Sequence, residues 1–286
     1  MWCIDTGLYT YRISGLNSNV IASLEHLYPN SISQKLTLTD YQIDIANTSL
    51  LRTLFRPQVA IKIDGHQPFN PISPRKLLPS IEWAMNWCVA AYDHTHLLIH
   101  CSVVEKNGKI ILFPAKSGSG KSTTSTYLAL HGWHLFYDEM AVINLTTGEV
   151  QPVFRPTSLK NNSIDIIKPF INKNNDAYLS DVVCNTHKGD IGHVRTQSRE
   201  AFNQLKPTKP AAIVFLDYDA QANLTIYEVD QSIGFSKLIA NAFNYSVIGE
   251  SAFNVLANIV SNANIYEVSY SDLVSLTDFL EDIVSE

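Results

Sequence analysis

The order of apolar and polar positions divides the chain into short extended runs, a few helical faces and the turns between them. From residue 1 to about 75, Leu8-Tyr9-Thr10-Tyr11-Arg12-Ile13, Leu36-Thr37-Leu38 and Val59-Ala60-Ile61-Lys62-Ile63 alternate or are rich in strand formers. Asp64-Gly65 closes the last run with a turn signal, and Pro68, Pro71, Pro74 and Pro79 punctuate a linker. Ile81, Ala84, Met85 and Cys88 then recur at helical spacing and predict one apolar helix face. Trp83 and Trp87 form a neighbouring stripe whose expected role is core or interdomain packing, with ligand stacking as the alternative.

A second region begins near His96. Val103–Lys106 and Lys109–Phe113 flank Asn107-Gly108, the residue pair that a type I′ hairpin turn demands. A small-residue loop, Pro114 to Gly120, leads into a predicted helix from Lys121 to His131, with Gly132 as its C-terminal cap. Leu135-Phe136-Tyr137 predicts a strand that runs through Asp138-Glu139 into Ala141-Val142-Ile143, before a turn at Thr147-Gly148. Ala211–Leu216, Leu224–Val229 and Ile265–Tyr270 read as strands, and 231–243 and 249–262 as helices. Ser271 is the predicted cap of a last helix carrying Leu273, Leu276, Phe279, Leu280 and Ile283. Asn172–Asn175 and 184–192 read as loops, and 172–192 is a candidate lid.

The alternation of strands and helices indicates an α/β protein. The chain has 286 residues, enough for two domains or one large α/β unit, and the expected seam lies near 76–95. It assigns 1–92 to a smaller α+β N-terminal domain and 93–286 to a nucleotide-binding domain. With 45% hydrophobic residues, disorder through low hydrophobicity is excluded. The net charge of −6 provides no basic field for nucleic acid or an anionic membrane. No apolar run approaches the ~18 residues of a membrane span, and the N-terminus lacks the pattern of a secretory leader. Cys3, Cys88, Cys101 and Cys184 form no C-x-x-C pair and read as reduced thiols of a cytoplasmic protein.

The strongest chemical signal is Ala115-Lys116-Ser117-Gly118-Ser119-Gly120-Lys121-Ser122-Thr123. It matches the phosphate-binding P-loop pattern G-x-x-x-x-G-K-[ST], with Ala115 in place of the first Gly. Gly118 and Gly120 let backbone N–H groups turn toward phosphate oxygens, and the following helix adds its positive end. Lys121 is expected to reach the β/γ-phosphates and the Ser122 hydroxyl to ligate Mg²⁺. Asp138 and Glu139 follow on the next strand, where such sites place a carboxylate for the metal. Adjacent strand residues face opposite ways, so both acids reach one phosphate only if the strand ends there. Of the two, Asp138 is the expected functional acid. His100, in an apolar run, is either a satisfied core histidine or part of the site.

In the order His100, Gly118–Ser122, His131-Gly132 and Asp138-Glu139, the chain resembles the HPr kinase/phosphorylase superfamily, which shares its nucleotide-binding core with phosphoenolpyruvate carboxykinase. It resembles more closely the HPr kinase-related kinase A branch. Glu82–Cys88, Arg155-Pro156-Thr157-Ser158-Leu159-Lys160-Asn161, Ser163-Ile164-Asp165, Lys188-Gly189, His193-Val194-Arg195 and Phe243-Asn244-Tyr245 carry that closer likeness. The resemblance implies an ATP- and Mg²⁺-dependent kinase acting on a seryl hydroxyl of a peptide or small protein, with Asp138 as base and His100 beside the transfer site. It also implies a PqqD-like partner that presents the peptide. Arg155, Lys160 and Arg195 are candidate cations for phosphate or acceptor, with surface or structural roles as the alternative. The general family has Gly-Asp where this chain has Ala115-Lys116, often a second Asp where it has Glu139, and an acid where it has Thr123. These differences bear on the reverse, phosphorolytic reaction and on HPr as acceptor.

Three functions compete. The first is the kinase, whose acceptor is a peptide, a protein or a small molecule. The second is a nucleotide-gated binding module whose acids hold only the metal. The third is a carboxykinase-like enzyme, for which His100, His187 and His193 show no metal-ligand spacing. A homo-oligomer is compatible with all three.

Overall fold

A computed structural model describes residues 1–35, 38–48, 57–115 and 118–285. The first layer is a mixed five-stranded sheet in the order β3-β1-β2-β4-β5. Its strands are β1 Trp2–Asp5, β2 Thr10–Ser14, β3 Ile32–Ser33, β4 Tyr41–Asn47 and β5 Val59–Ile63. Strands β2 and β4 are parallel, joined through helix α1, Ser18–Leu27. The Asn17 side chain caps α1 by accepting from Val20 N at 2.9 Å. Of the run at Leu36-Thr37-Leu38, residues 36 and 37 lie outside the described residues. Strand β4 begins just beyond it, where buried Tyr41, Ile43 and Ile45 alternate with Gln42 and Asp44.

Helix α2, Leu77–Tyr92, buries Ile81, Ala84, Met85 and Cys88 completely, on the face that the spacing predicts. The core beneath it crosses the expected seam. Ile4, Ile13, Leu24 and Ile43 share one cluster with Leu98, Tyr137, Val142 and Phe154.

The second layer is a six-stranded sheet in the order β17-β18-β16-β8-β7-β9. It comprises β7 Cys101–Lys106, β8 Lys109–Pro114, β9 His134–Tyr137, β16 Pro210–Tyr218, β17 Thr225–Glu228 and β18 Asn264–Tyr270. Asn107 and Gly108 join β7 to β8 with φ of 55° and 77°, the left-handed pair of a type I′ turn. Strand β8 is apolar on both sides because both faces of the sheet are covered. Ile110 and Leu112 enter a core with the helices 231–240 and 250–262. Ile111 and Phe113 enter another, with the helices 121–130 and 273–285.

Three sequence expectations change. Strand β9 does not continue into Ala141-Val142-Ile143. It ends at Tyr137, and β10, Ala141–Asn144, pairs instead with β6, His96–Ile99, and β11, Val150–Gln151. The segment 184–192 is not a loop. Strands β13 Tyr178–Leu179 and β14 Val183–Thr186 pair with β15 Gly189–Arg195, which also pairs with β12, Thr157–Lys160. Of the candidate lid 172–192, only the turn before Tyr178 and the short connections between these strands are irregular. Polar residues on the solvated edge conceal the pairing from a hydrophobicity pattern. Finally, Asp272 and not Ser271 caps the last helix: its carboxylate accepts from Ser275 N at 2.7 Å, while Ser271 Oγ donates to Ala222 O.

Among the described residues no helix is long and apolar enough to cross a membrane.

Candidate functional site

Helix α3, Lys121–Leu130, leaves the C-terminal end of β8 through a loop with both glycines at positive φ, 96° for Gly118 and 89° for Gly120. Gly120 is required twice over. Its conformation is left-handed, and a Cβ there would lie 2.2 Å from the Tyr270 hydroxyl. At Gly118 a Cβ would meet open space, so the loop borders a void at that point. Lys116 and Ser117 lie outside the described residues. The Ser119 hydroxyl is buried with no partner among the described residues. The first-turn N–H groups of α3 have no carbonyl four residues back within the helix and point out of its end.

Lys121 is almost wholly buried, and its Nζ lies 3.0 Å from Nε2 of His100. Burial, helped by the Lys121 ammonium, lowers the His100 pKa from its ordinary 6.5, against the opposing pull of Glu139 and Asp138. The neutral ring accepts from Lys121 through Nε2, which assigns its own proton to Nδ1. The same Nε2 lies 4.0 Å from the Glu139 carboxylate.

The two acids are treated differently because the strand ends just before them, which releases them from strict alternation. Asp138 is 1% exposed. Its Oδ1 accepts from Ser102 Oγ at 2.5 Å and from Ser125 Oγ at 3.0 Å, while Oδ2 has a long 3.5 Å approach from Ser158 N. Ser125 stands one turn after Lys121 on α3, so one helix carries both the lysine and an anchor for the acid. Glu139 is partly open.

Two cavities meet here. One, of about 890 Å³, surrounds Gly118, Gly120, Lys121, Ser122 and Thr123. The other, of about 810 Å³, extends toward α2 and the N-terminal sheet and includes Phe69, Trp83 and Trp87. His100, Glu139, Ser158, Lys160 and Lys188 line both. Trp83 and Trp87 lie with their ring centroids 4.1 and 5.4 Å from that of Phe69.

The structure therefore brings Lys121, Ser122, His100, Glu139 and Lys160 together, with Asp138 just behind them. It does not bring the two arginines. Arg155 is buried, its Nη2 held 2.6 Å from Glu82 Oε2, and the Tyr28 hydroxyl donates to the same carboxylate at 2.9 Å. It lines the cavity on the α2 side, with its Nη2 held by Glu82. Arg195 donates to the carbonyls of Asp176 and His26 and lines neither cavity. Sequence reasoning passed over Ser102, Ser125 and Lys188 as individual site residues. The i to i+4 relation of Lys121 and Ser125 was the one available signal, and Ser102 becomes visible only through the pairing of β7 with β9.

Among the described residues no group of three or more His, Cys, Asp and Glu side chains is placed to hold a metal. Mg²⁺ does not ask for one: one or two carboxylates, phosphate oxygens and waters suffice. Ser122 and Glu139, both lining the loop cavity, suit that demand. No protein-family model matches the chain, and no curated protein matches it.

Proposed function

We propose that this chain is an ATP- and Mg²⁺-dependent kinase that transfers the γ-phosphoryl group to a hydroxyl, a seryl hydroxyl of a peptide or small protein. One observation carries the reading: the glycine loop, Lys121 and Glu139 line one cavity where a second joins it, with Asp138 buried next to Glu139 in the chain. A triphosphate on a P-loop occupies one cavity and the acceptor enters from the other. Lys121 leaves His100 for the phosphates, and His100 keeps the neutral form that lets it release the lysine. Ser122 and Glu139 would hold Mg²⁺, which would supply charge neutralisation for the phosphates.

The acceptor oxygen bonds to the γ-phosphorus, the bond from phosphorus to the β–γ bridging oxygen breaks, and ADP departs. The hydroxyl proton passes to Asp138. Its Oδ1 is committed to two seryl hydroxyls, which leaves Oδ2, near the backbone of the cavity-lining Ser158, to take the proton. Lys160 balances the charge on the transferred group.

The test is transfer from γ-labelled ATP to components of a cell extract. Lys121→Ala is expected to abolish it, and Asp138→Asn to lower it by about 10²- to 10⁴-fold while nucleotide still binds. Near-normal turnover in Asp138→Asn would remove the base assignment. The burial of Asp138 behind Ser102 and Ser125 favours one second reading, a nucleotide-gated binding module whose acids serve only the metal. Slow ATP hydrolysis with no labelled acceptor across many extracts would favour that module.

A further inference from the structure

We infer that the α2-side cavity is the acceptor site and that it selects a peptide segment with a large aromatic or aliphatic side chain close to the phosphorylated hydroxyl. This rests on the kinase reading for the position of the reacting groups. Three observations lead to it.

The first is the wall. Phe69, Trp83 and Trp87 form a cluster of rings along the cavity, and Trp83 remains 41% exposed. Indole surface left open on a concave wall gains by burial against another large apolar group. Isolated exposed side chains need no explanation, but three rings in tilted and edge-on contact lining one cavity form a surface with a shape.

The second is His193. It is 3% exposed and lines the same cavity. Burial lowers its pKa, so the ring is neutral and offers one donor and one acceptor. On the cavity wall those two ring nitrogens can bond a peptide N–H or C=O.

The third is the rim. Pro68, Asn70, His187 and Lys188 border the cavity and are exposed, on the N-terminal side and on the β14–β15 turn respectively. A longer chain can enter and continue into solvent between them, which suits a segment of peptide better than an enclosed metabolite. The wall is also tied to the acids. Asn86, on the cavity side of α2, accepts from the Tyr137 hydroxyl at 2.6 Å, and Tyr137 directly precedes Asp138. A side chain seated between the tryptophans is thereby registered against the carboxylates.

The test measures binding apart from turnover. Dye-labelled peptides carry one central serine in a glycine–alanine background, with a single phenylalanine scanned through every other position. Their affinity for the full chain is read by fluorescence anisotropy with Mg²⁺ and a non-hydrolysable ATP analogue. In at least one register phenylalanine is expected to tighten binding about tenfold over the alanine peptide. Trp83→Ala and Phe69→Ala are each expected to erase most of that gain while analogue affinity and thermal unfolding stay as in the parent. The proposal is overturned if no register of phenylalanine helps, or if the gain survives in both variants. The kinase reading has its own readout: phenylalanine-selective binding with no transfer from ATP defeats that reading alone, and serine transfer indifferent to phenylalanine defeats the pocket alone.

Discussion

Two charge clusters lie close to the middle of this molecule, and they are built in opposite ways. Around Arg155 the charge is paired at close range: Nη2 is 2.6 Å from Glu82, whose carboxylate is also taken by Tyr28, the rings of Tyr11 and Tyr137 lie at 6.0 Å, and Nε and Nη1 are buried without a hydrogen-bond partner among the described residues. Around Lys121 the contacts are looser and the cluster is open: a neutral imidazole at 3.0 Å, Glu139 at 4.0 Å from that imidazole, one cavity at Lys121 itself and both cavities at His100 and Glu139. A cation paired with a buried carboxylate is committed, because separating the pair leaves a bare charge in low dielectric. A cation resting on a neutral acceptor gives up one hydrogen bond and can regain several on a phosphate. The sequence motif marks both as candidates, and the partner decides which is available.

That contrast can be broken by mutation. Lys121→Ala is expected to lower phosphoryl transfer by about 10³-fold or more, with an unfolding midpoint close to that of the parent. Glu82→Ala should do the reverse. It strands the Arg155 charge and the Tyr28 hydroxyl and costs about 3–5 kcal/mol of stability, read as a shift in urea midpoint. If Glu82→Ala left stability unchanged and removed only turnover, Arg155 would belong with the site and not with the scaffold.

Gly120→Ala sharpens the comparison from the side of the loop. Positive φ and the approach to the Tyr270 hydroxyl together should cost about 1–3 kcal/mol and weaken nucleotide binding, measured by calorimetry. An alanine that bound nucleotide normally would show that the loop re-forms without this contact.

The smallest expected effect is in pH. His100 and His193 both have pKa values lowered from 6.5, chiefly by burial. The unfolded chain therefore binds more protons than the folded one as pH falls below about 6.5. Their contribution is fully present above that value and is lost progressively below it. Thermal midpoints should fall from pH 6.5 downward, and His193→Gln should flatten the slope. An unchanged slope would mean that other groups set the acid limb.

What could be read from the sequence was what is local. Asn107-Gly108 specifies its turn, the small residues before Lys121 specify theirs, and four apolar residues at helical spacing placed the buried face of α2. What could not be read depends on partners distant in the chain. Glu82 and Arg155 are 73 residues apart, and nothing near Arg155 announces that its charge is taken. Asp138 and Glu139 looked like opposite faces of one strand, but β9 leaves its sheet at Tyr137, and that departure is set by pairing with β7. The polar strands β13 to β15 carried no apolar alternation because their outer edge is solvated.

The core shared across residue 92 has a consequence for how such a chain can change over time. Leu98, Tyr137, Val142 and Phe154 share their buried cluster with Ile4, Ile13, Ile43 and the α2 face. Exchange of the N-terminal third for an unrelated module would uncover that surface and loosen the strand that leads to the acids. Altered acceptor preference is thus expected to arise through substitutions on the cavity wall, around Phe69 and Trp83, and not through domain shuffling.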